Sequence, residues 1–247
     1  MSHKSTVSAQ LVPTGAILNT EETAGRLRTM HEQLFRAYGP QHWWPAESEE
    51  EVIVGAYLTQ NTAWKAVERS LQNLRAAGVL SLQGVASLST EALQELIRPS
   101  GFVTRKSVAL KAFVEFWEKQ HQRSLHRMAA VPTDRLREDL LALPGVGPET
   151  ADAILLYALG HTVPVADEYL RRIAERHRLL PAPVKKNRKS YEALVALMKA
   201  AFSDEKNARQ QLNEFHALVV AVGKAHCGRT ARCEQCPLAG DLPERRL

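Results

Sequence analysis

The chain has 247 residues, of which 45% are hydrophobic, and its 32 lysine and arginine residues exceed its 27 aspartate and glutamate residues by five. That length is enough for one large domain or two small ones with a real core. The modest positive charge suits a polyanionic partner but does not prove one. No run of about eighteen apolar residues occurs, which excludes a membrane-spanning helix. The N-terminus lacks the apolar core of a secretion signal, so we expect a cytoplasmic protein.

Helical spacing of apolar residues dominates the chain, and we predict an all-α fold. Residues 1–20 are polar with scattered apolar side chains, and we expect them to form a flexible lead. Glycine and proline breakers divide the rest, and no alternating strand of useful length occurs. We predict helices over residues 21–38, 48–60, 63–77, 90–98, 103–120, 133–142, 149–159, 167–179, 189–203 and 206–226.

A short turn rich in glycine and proline, Leu143-Pro-Gly-Val-Gly147, separates two of these helices. Pro144 stops the first helix because proline lacks an amide hydrogen and crowds the residue before it. Glycine takes positive φ and lets another backbone or a phosphate come close. The main-chain amides of Gly145, Val146 and Gly147 therefore form a candidate anion site before the second helix. An ordinary corner between helices is the alternative, since such corners also favour glycine and proline.

Asp167 lies twenty residues after Gly147, where a further helix is predicted to begin. One interpretation is a helix N-cap, because aspartate accepts hydrogen bonds from the free amides of a first turn. The other is a catalytic carboxylate, and one residue can be both. Cleavage of an N-glycosidic bond builds positive charge on the sugar. A carboxylate beneath the sugar stabilises that charge and can orient or deprotonate a water molecule.

The segments LPGVGPETADAILLYA and VPVADEYLRR resemble the helix-hairpin-helix (HhH-GPD) DNA glycosylase superfamily. Within it, residues from about 25 to 236 fit the order of the endonuclease III group. The resemblance implies two helical domains that flank a DNA-binding cleft. We expect a central helical barrel at 46–155 that ends in the hairpin, and a second domain formed by 21–45 plus 156–247.

The same resemblance assigns roles to two carboxylates. Asp167 falls at the position of the family's catalytic aspartate. Lyase-active relatives carry a reactive lysine where this chain has Glu149, and glutamate cannot form a Schiff base. No other lysine lies in the hairpin, so the resemblance implies that the base is removed without cutting of the strand.

Three of the four tryptophans, Trp43, Trp44 and Trp64, lie within residues 43–64. An enzyme that acts on a base must take it out of the stack and hold it between apolar faces. A 3-methylated adenine is cationic, so the electron-rich faces of indole rings attract it. The alternative is that these tryptophans are core residues, as we expect for Trp117.

A narrower resemblance, to the 3-methyladenine DNA glycosylase branch, rests on four stretches: WWP at 43–45, LTQNT at 58–62, Trp64 and SGF at 100–102. It implies that Trp43 and Trp64 sandwich the flipped base, with Trp44 and Pro45 beside them. Gln60 matches the wedge that fills the gap in the duplex. Lys224 matches a lysine near the base pocket in that branch.

The alternatives for the last two residues are structural. A glutamine at a helix end is often only a cap. A lysine in a C-terminal helix is usually a solvated charge.

The cysteines, Cys227, Cys233 and Cys236, all lie within ten residues of one another. A disulfide framework is not expected in a cytoplasmic chain. The tail HCGRTARCEQCPLAGD resembles the iron–sulfur loop of many endonuclease III proteins, so a [4Fe-4S] cluster is a candidate. The first spacing is one residue short and the fourth cysteine is absent. Asp241 as the fourth ligand, zinc held with His226, and a decayed site without metal stay open.

These features predict a monofunctional DNA glycosylase of base excision repair that hydrolyses the N-glycosidic bond of alkylated purines such as 3-methyladenine. The expected partner is double-stranded DNA that contains a damaged base, and the expected state is a monomer. The resemblance implies no cofactor for catalysis. Two alternatives stay open: an endonuclease III-like glycosylase for oxidised or mismatched bases, and a non-catalytic DNA-binding relative.

Overall fold

A computed structural model of the chain describes residues 20–202 and 206–243. These residues form helices and no strand, which confirms the predicted all-α fold. The predicted lead at 1–20 lies outside the described residues, except for Thr20. The helices are α1 (Thr20–Tyr38), α2 (Glu49–Thr59), α3 (Trp64–Ala76), α4 (Leu82–Ser87), α5 (Thr90–Leu96), α6 (Val103–His121), α7 (Leu125–Ala129), α8 (Thr133–Leu141), α9 (Pro148–Ala153), α10 (Glu168–Arg176), α11 (Arg188–Ala201) and α12 (Ala208–Ala225).

Serine side chains begin several of these helices. Ser48 Oγ accepts a hydrogen bond from the Glu51 amide at 3.2 Å, and Ser81 and Ser124 cap α4 and α7 in the same way. Such caps satisfy amides that the first turn leaves free. The sequence pattern does not predict α4 and α7, because helices of six and five residues show too little of the apolar period.

The helix predicted at 149–159 consists of two parts. α9 continues directly into a π-helical segment, Ile154–Ala158, and Gly160 with φ of +73° follows its end. Glycine takes this left-handed conformation without a steric penalty, so it terminates helices readily. The π-helical segment inserts one residue into a turn and thereby changes which side chains face the interior.

Apolar side chains form two buried clusters. The first cluster gathers residues from α2 through α9 and continues to Val163 and Val165. The second cluster gathers residues from α1, α10, α11 and α12 and begins again at Ala166. α1 packs against α11 and α12, so the first and last helices of the described chain lie together. The division into domains at residues 45 and 155 stays a prediction.

A buried ion pair connects the hairpin helices to the second cluster. Arg137 on α8 donates to Asp152 on α9 through Nε at 2.6 Å and Nη2 at 2.9 Å. On α11, the Tyr191 hydroxyl donates to Asp152 at 2.8 Å, and Glu192 accepts from Arg137 at 3.1 Å. The network therefore fixes α8 and α9 relative to α11.

Among the described helices, none combines the length and the apolar character that a membrane span requires.

Candidate active site

The hairpin connects α8 to α9 through a turn in which the two glycines differ. Gly145 has φ of +75°, and a Cβ there would lie 2.9 Å from the Ala109 Cβ, so both conformation and space require glycine. Gly147 has φ of −98° and ψ of 173°, which any residue adopts. A Cβ on Gly147 would meet nothing within 4 Å. The expected left-handed conformation therefore occurs at Gly145 only, and Gly147 leaves open space above the main chain.

The amides of this turn differ in their availability. The Val146 amide donates to the Leu143 carbonyl at 3.3 Å, so it serves the turn itself. The amides of Gly145 and Gly147 make no hydrogen bond to another residue in the described part of the chain. Two of the three candidate amides are thus free to meet an anion.

Gln60, directly after α2, extends its side chain to the hairpin. Its amide nitrogen donates to the Gly145 carbonyl at 3.0 Å and to Thr150 Oγ1 at 3.1 Å. Gln60 therefore supports the hairpin in this structure, and insertion into DNA requires both hydrogen bonds to break. Its role as a wedge stays a prediction.

The turn that carries Gln60 lies beside a second turn at Ser100–Phe102. Thr62 Oγ1 donates to the Ser100 carbonyl at 2.7 Å, and the buried Lys106 ammonium donates to both Thr62 Oγ1 and the Ser100 carbonyl at 2.7 Å. Phe102, at φ of +49°, exposes 61% of its surface. A large exposed aromatic side chain in a left-handed turn is a candidate contact residue, a role that the sequence analysis did not assign to Phe102.

Asp167 is the N-cap of α10, and its Oδ1 accepts from the Leu170 amide at 2.8 Å. Burial raises the pKa of Asp167 to about 6, although hydrogen bonds from the amides of Leu170 and Tyr169 oppose the rise. His216 Nε2 lies 4.0 Å from Oδ2. Asp167 is therefore largely ionised at pH 7, and no cation among the described residues lies within hydrogen-bonding distance of it.

Glu149, in the first turn of α9, lies close enough to Asp167 for their charges to interact. Burial and, second, the Asp167 charge raise the pKa of Glu149 to about 7, while Lys186 opposes the rise. The Glu149 side chain is nevertheless accessible to solvent. The two carboxyl groups share one site and titrate as a pair.

Trp43, Trp44 and Trp64 contact one another. Their ring centroids lie 5.4 Å apart for Trp43 and Trp44, 5.4 Å for Trp44 and Trp64, and 5.9 Å for Trp43 and Trp64. All three are half-buried, whereas Trp117 is only 4% exposed and belongs to the core as expected. The indole N–H groups of Trp43 and Trp44 are buried without a hydrogen-bond partner among the described residues. The cluster therefore combines apolar ring faces with two buried indole N–H groups that have no partner among the described residues.

The expected sandwich is not open in this structure. A base stacked between two rings needs about 7 Å, because each stacking contact takes about 3.5 Å. Trp43 and Trp64 are 5.9 Å apart and inclined by 49°, so they must separate and rotate to admit a base. Lys224 Nζ lies 5.8 Å from the centroid of Trp43, and Pro45 is exposed beside Trp44.

Tyr157 and His216, which the sequence analysis missed, connect the tryptophans to Asp167. The Tyr157 ring lies 5.6 Å from Trp44, and its hydroxyl oxygen lies 2.5 Å from His216 Nδ1. His216 Nε2 then faces Asp167 Oδ2. In the sequence, Tyr157 and His216 stand out only because each has a polar group at the end of its side chain within an otherwise apolar stretch of helix.

The family model of HhH-GPD superfamily base excision DNA repair proteins matches residues 54–200, more than half of the chain. This chain belongs to that superfamily. A Methanocaldococcus jannaschii protein named "Putative DNA repair glycosylase" is 39% identical over 206 residues, which cover 81% of this chain and 88% of that protein. A chloroplastic endonuclease III homologue of Arabidopsis thaliana is 27% identical over 199 residues, and the match spans 50% of its length.

Solved structures of HhH-GPD proteins share the fold. The H. pylori 3-methyladenine DNA glycosylase bound to 1,N6-ethenoadenine is 28% identical, with a TM-score of 0.68 over 84% of this chain and 98% of that chain. An endonuclease III–DNA complex has a TM-score of 0.72 over 90% of this chain and 95% of that chain, and its 17% identity shows the fold alone. At the level of the family, the protein is a DNA repair glycosylase and hence a hydrolase.

The loop that carries iron–sulfur cysteines in the endonuclease III group is held here by arginines. Arg176 donates to Cys227 Sγ at 2.9 Å and to the carbonyls of Gly228 and Arg229 at 2.8 and 3.0 Å. Arg172 donates to the Cys227 carbonyl at 3.2 Å. Burial raises the pKa of the Cys236 thiol, and the nearby Cys227 and Cys233 raise it further.

The other candidate ligands of the loop are also engaged. Asp241 accepts from Arg26 at 2.9 and 2.6 Å and lies 2.9 Å from His177 Nδ1. His226 Nδ1 lies 3.1 Å from the Arg232 carbonyl. Across residues 20–202 and 206–243, no group of three or more histidine, cysteine, aspartate or glutamate side chains is arranged to hold a metal ion. As arranged in this structure, the described side chains of the loop form neither an iron–sulfur site nor a zinc site.

Proposed function

We propose that this HhH-GPD protein is a monofunctional DNA glycosylase that hydrolyses the N-glycosidic bond of alkylated purines, 3-methyladenine first. The observation that carries the proposal is the mutual contact of Trp43, Trp44 and Trp64, which Tyr157 connects to the surroundings of Asp167. The similarity to a 3-methyladenine DNA glycosylase bound to 1,N6-ethenoadenine supports the same substrate class.

The tryptophan cluster suits a flipped, cationic base. The electron-rich faces of the indole rings attract positive charge. Because the positive charge of 3-methyladenine already weakens its glycosidic bond, the pocket needs no strong acid to activate the leaving base. Lys224 covers part of one face of Trp43, so the base occupies the side that faces Trp64.

Asp167 supplies the charge that the reaction needs. As the bond between the sugar C1′ and the base nitrogen breaks, its electron pair leaves with the base and positive charge develops on the sugar. The carboxylate, ionised at pH 7, stabilises this charge strongly because it lies in a buried, poorly solvated position. A water molecule then adds to C1′ and gives its proton to the carboxylate.

Glu149 accounts for the proposed absence of strand cutting. A Schiff base with the sugar needs a primary amine, and the side chain at the lyase position is a carboxyl group. We expect no covalent adduct when the wild-type protein meets abasic DNA and borohydride, and an adduct with the Glu149→Lys variant. An adduct with the wild type would contradict monofunctionality and would direct attention to Lys186, the lysine that acts on Glu149 electrostatically.

We assign binding of the DNA backbone and filling of the gap in the duplex to residues of the turns. The free amides of Gly145 and Gly147 bind a phosphate, and Val146 holds the turn in shape. Gln60 releases the hairpin and fills the space that the flipped base leaves. Phe102, exposed on the neighbouring turn, contacts the opposite strand or its bases.

The deciding experiment measures single-turnover release of 3-methyladenine from duplex DNA treated with dimethyl sulfate. We expect Asp167→Asn to lower the rate at least about 100-fold, since it removes the charge that stabilises the sugar cation. Asp134→Asn changes an exposed aspartate on α8 and is the matched control with an unchanged rate.

Three outcomes contradict the proposal. Release of thymine glycol without release of methylated purine would favour an enzyme for oxidised bases. Binding of DNA with no base released from any alkylated substrate would favour a non-catalytic relative. An unchanged rate in Asp167→Asn would remove Asp167 from the mechanism.

A further inference from the structure

Tyr157, His216 and Asp167 form a chain of polar groups of which the proposed reaction uses only the last. Tyr157 lies on the π-helical segment, His216 lies on α12 and Asp167 caps α10, so three separate segments meet here. The first contact in the chain measures 2.5 Å and the second 4.0 Å. π-helical turns are frequent at functional sites, and this one places the Tyr157 hydroxyl against His216.

The hydrogen bonding determines which nitrogen of His216 carries the proton. Burial lowers the pKa of His216 to about 4, so the imidazole is neutral at pH 7 and has one donor and one acceptor nitrogen. If Nδ1 carried the proton, the lone pair of Nε2 would face the Asp167 carboxylate and repel it. If the Tyr157 hydroxyl donates to Nδ1, the proton lies on Nε2 and faces the carboxylate favourably. The second arrangement is therefore the stable one.

The two oxygens of Asp167 have different neighbours. Oδ1 accepts from the Leu170 amide at 2.8 Å and belongs to the helix cap. Oδ2 faces the Nε2–H of His216 at 4.0 Å, a separation that a small shift or one water molecule closes to a hydrogen bond. Oδ2 is thus the oxygen that lies toward His216.

Other charged groups surround Tyr157, His216 and Asp167. Glu168 and Arg172 lie on α10 with Asp167 itself, Glu149 approaches from α9, and Glu214 on α12 acts on Tyr157. Lys186 acts on Glu149 from the loop before α11. His216 differs from all of these because it is uncharged at pH 7 and acts through one directed N–H group.

We propose that Tyr157 and His216 are positioning residues for Asp167. Tyr157 sets the tautomer of His216, and the Nε2–H of His216 holds Oδ2 in the orientation that the reaction uses. Because Tyr157 also contacts Trp44, one side chain supports both the base pocket and the carboxylate. This inference rests on the role given to Asp167 under the proposed function.

The test replaces Tyr157 by phenylalanine, which keeps the ring against Trp44 and removes only the hydroxyl. We expect release of 3-methyladenine from methylated duplex DNA to slow by about threefold to tenfold with unchanged DNA affinity. The acid limb of the rate against pH moves to higher pH, because loss of a donor to the carboxylate raises the pKa of Asp167. His216→Leu has the same effects, and His216→Gln, which retains an N–H donor, restores part of the rate.

Asp241→Asn is the control for lost stability. It removes a carboxylate that pairs with Arg26 and His177, away from Tyr157, His216 and Asp167. We expect a lower melting temperature with an unchanged single-turnover rate and pH profile. Loss of stability alone therefore does not reproduce the effects expected for Tyr157→Phe.

A second readout does not depend on catalysis. The pKa of the Asp167 carboxyl, followed by carbon NMR with Asp167→Asn to assign the resonance, rises in Tyr157→Phe and His216→Leu and not in Asp241→Asn. If Asp167→Asn is inactive but both variants keep the wild-type rate and carboxyl pKa, the positioning inference is wrong and the proposed function stands. If the carboxyl pKa moves but the wild type releases no methylated purine, the proposed function fails alone.

Discussion

Two buried aspartates occupy opposite kinds of environment in the described part of this protein. Asp152, 1% exposed, receives two hydrogen bonds from the Arg137 guanidinium and one from the Tyr191 hydroxyl. Asp167, 8% exposed, receives a hydrogen bond from the amide of Leu170 and faces a neutral imidazole. Burial raises the pKa of both carboxyls, and only Asp152 has a cation in direct contact that opposes the rise.

The difference separates a group that holds the fold together from one that serves chemistry. The Asp152 carboxylate forms an ion pair with Arg137 and accepts a hydrogen bond from Tyr191. These contacts connect α8, α9 and α11. Asp167 carries a charge that the protein solvates poorly and leaves unpaired, which is the usual condition of a group poised to act on a substrate. The comparison predicts opposite effects when each charge is removed.

Asp152→Asn is expected to have the largest effect on stability. The variant leaves Arg137 partly buried with Glu192 as its only carboxylate partner and brings an amide donor against the guanidinium. Removal of one member of a buried ion pair typically costs 3–5 kcal/mol, so we expect a loss of about 3 kcal/mol in the free energy of unfolding. A denaturant titration at pH 7 checks it. An unchanged midpoint would show that Arg137 and Asp152 contribute no net stability.

Asp167→Asn is expected to stabilise the fold while it abolishes base release. The folded pKa of about 6 lies above the ordinary 3.8, so the folded chain binds this proton more tightly than the unfolded chain. Wild-type stability therefore falls as pH rises from 3.8 to 6, and the full penalty, at most about 3 kcal/mol, applies above 6. Asparagine removes the charge and keeps an oxygen for the Leu170 amide.

Thermal unfolding at two pH values tests this sign. We expect Asp167→Asn to unfold at a higher temperature than the wild type at pH 7, and the difference to vanish near pH 4. A lower melting temperature at pH 7 would show that the charged N-cap outweighs the cost of burying the carboxylate.

Local chemistry explains which features of the fold could be predicted. The turn at Leu143–Gly147 and the cap at Asp167 follow from residues adjacent in sequence, and they lie where the sequence predicts them. The π-helical segment Ile154–Ala158 could not be predicted, because apolar spacing does not distinguish one added residue from a regular helix.

The candidate site could be predicted only in part, because its decisive contacts join distant residues. Tyr157 and His216 are 59 positions apart, and the segment that shows the family resemblance includes Tyr157 but gives it no role. Composition and spacing likewise give no indication that Gln60 binds the hairpin or that Trp43 and Trp64 lie too close to hold a base. These features depend on packing, which a motif does not encode.

A third aspartate, Asp241, is intermediate between Asp152 and Asp167 in its environment. We expect a smaller effect when it is replaced. It is partly exposed and paired with Arg26 and His177, and these hydrogen bonds hold its pKa below the ordinary value in spite of burial. Its stabilisation is therefore present at neutral pH and is lost as pH falls below 3.8 through the folded pKa. We expect Asp241→Asn to cost about 1–2 kcal/mol at pH 7 and nothing in strong acid.

The same variant tests what holds the cysteine loop. If ion pairs hold it, Asp241→Asn increases hydrogen exchange in residues 227–243, whereas a chelator leaves exchange in the wild type unchanged. Iron or zinc in stoichiometric amounts in the purified protein, lost together with the loop's protection on chelation, would contradict this account of the loop.

Glu149→Gln removes the carboxyl group whose charge interacts with Asp167, and it has the smallest expected effect. Glu149 titrates at about 7 and Asp167 at about 6, so Glu149 is still largely protonated when Asp167 ionises. Removal of the Glu149 charge should therefore leave the acid limb of the rate where it is. Above pH 7 the wild type gains a second negative charge beside the free amides that are proposed to bind phosphate. We expect KM for methylated DNA to rise about threefold in the wild type between pH 6.5 and 8, and to stay level in Glu149→Gln with similar kcat. If the variant instead moves the acid limb, Glu149 is already charged when Asp167 ionises, and the order of the two titrations is reversed.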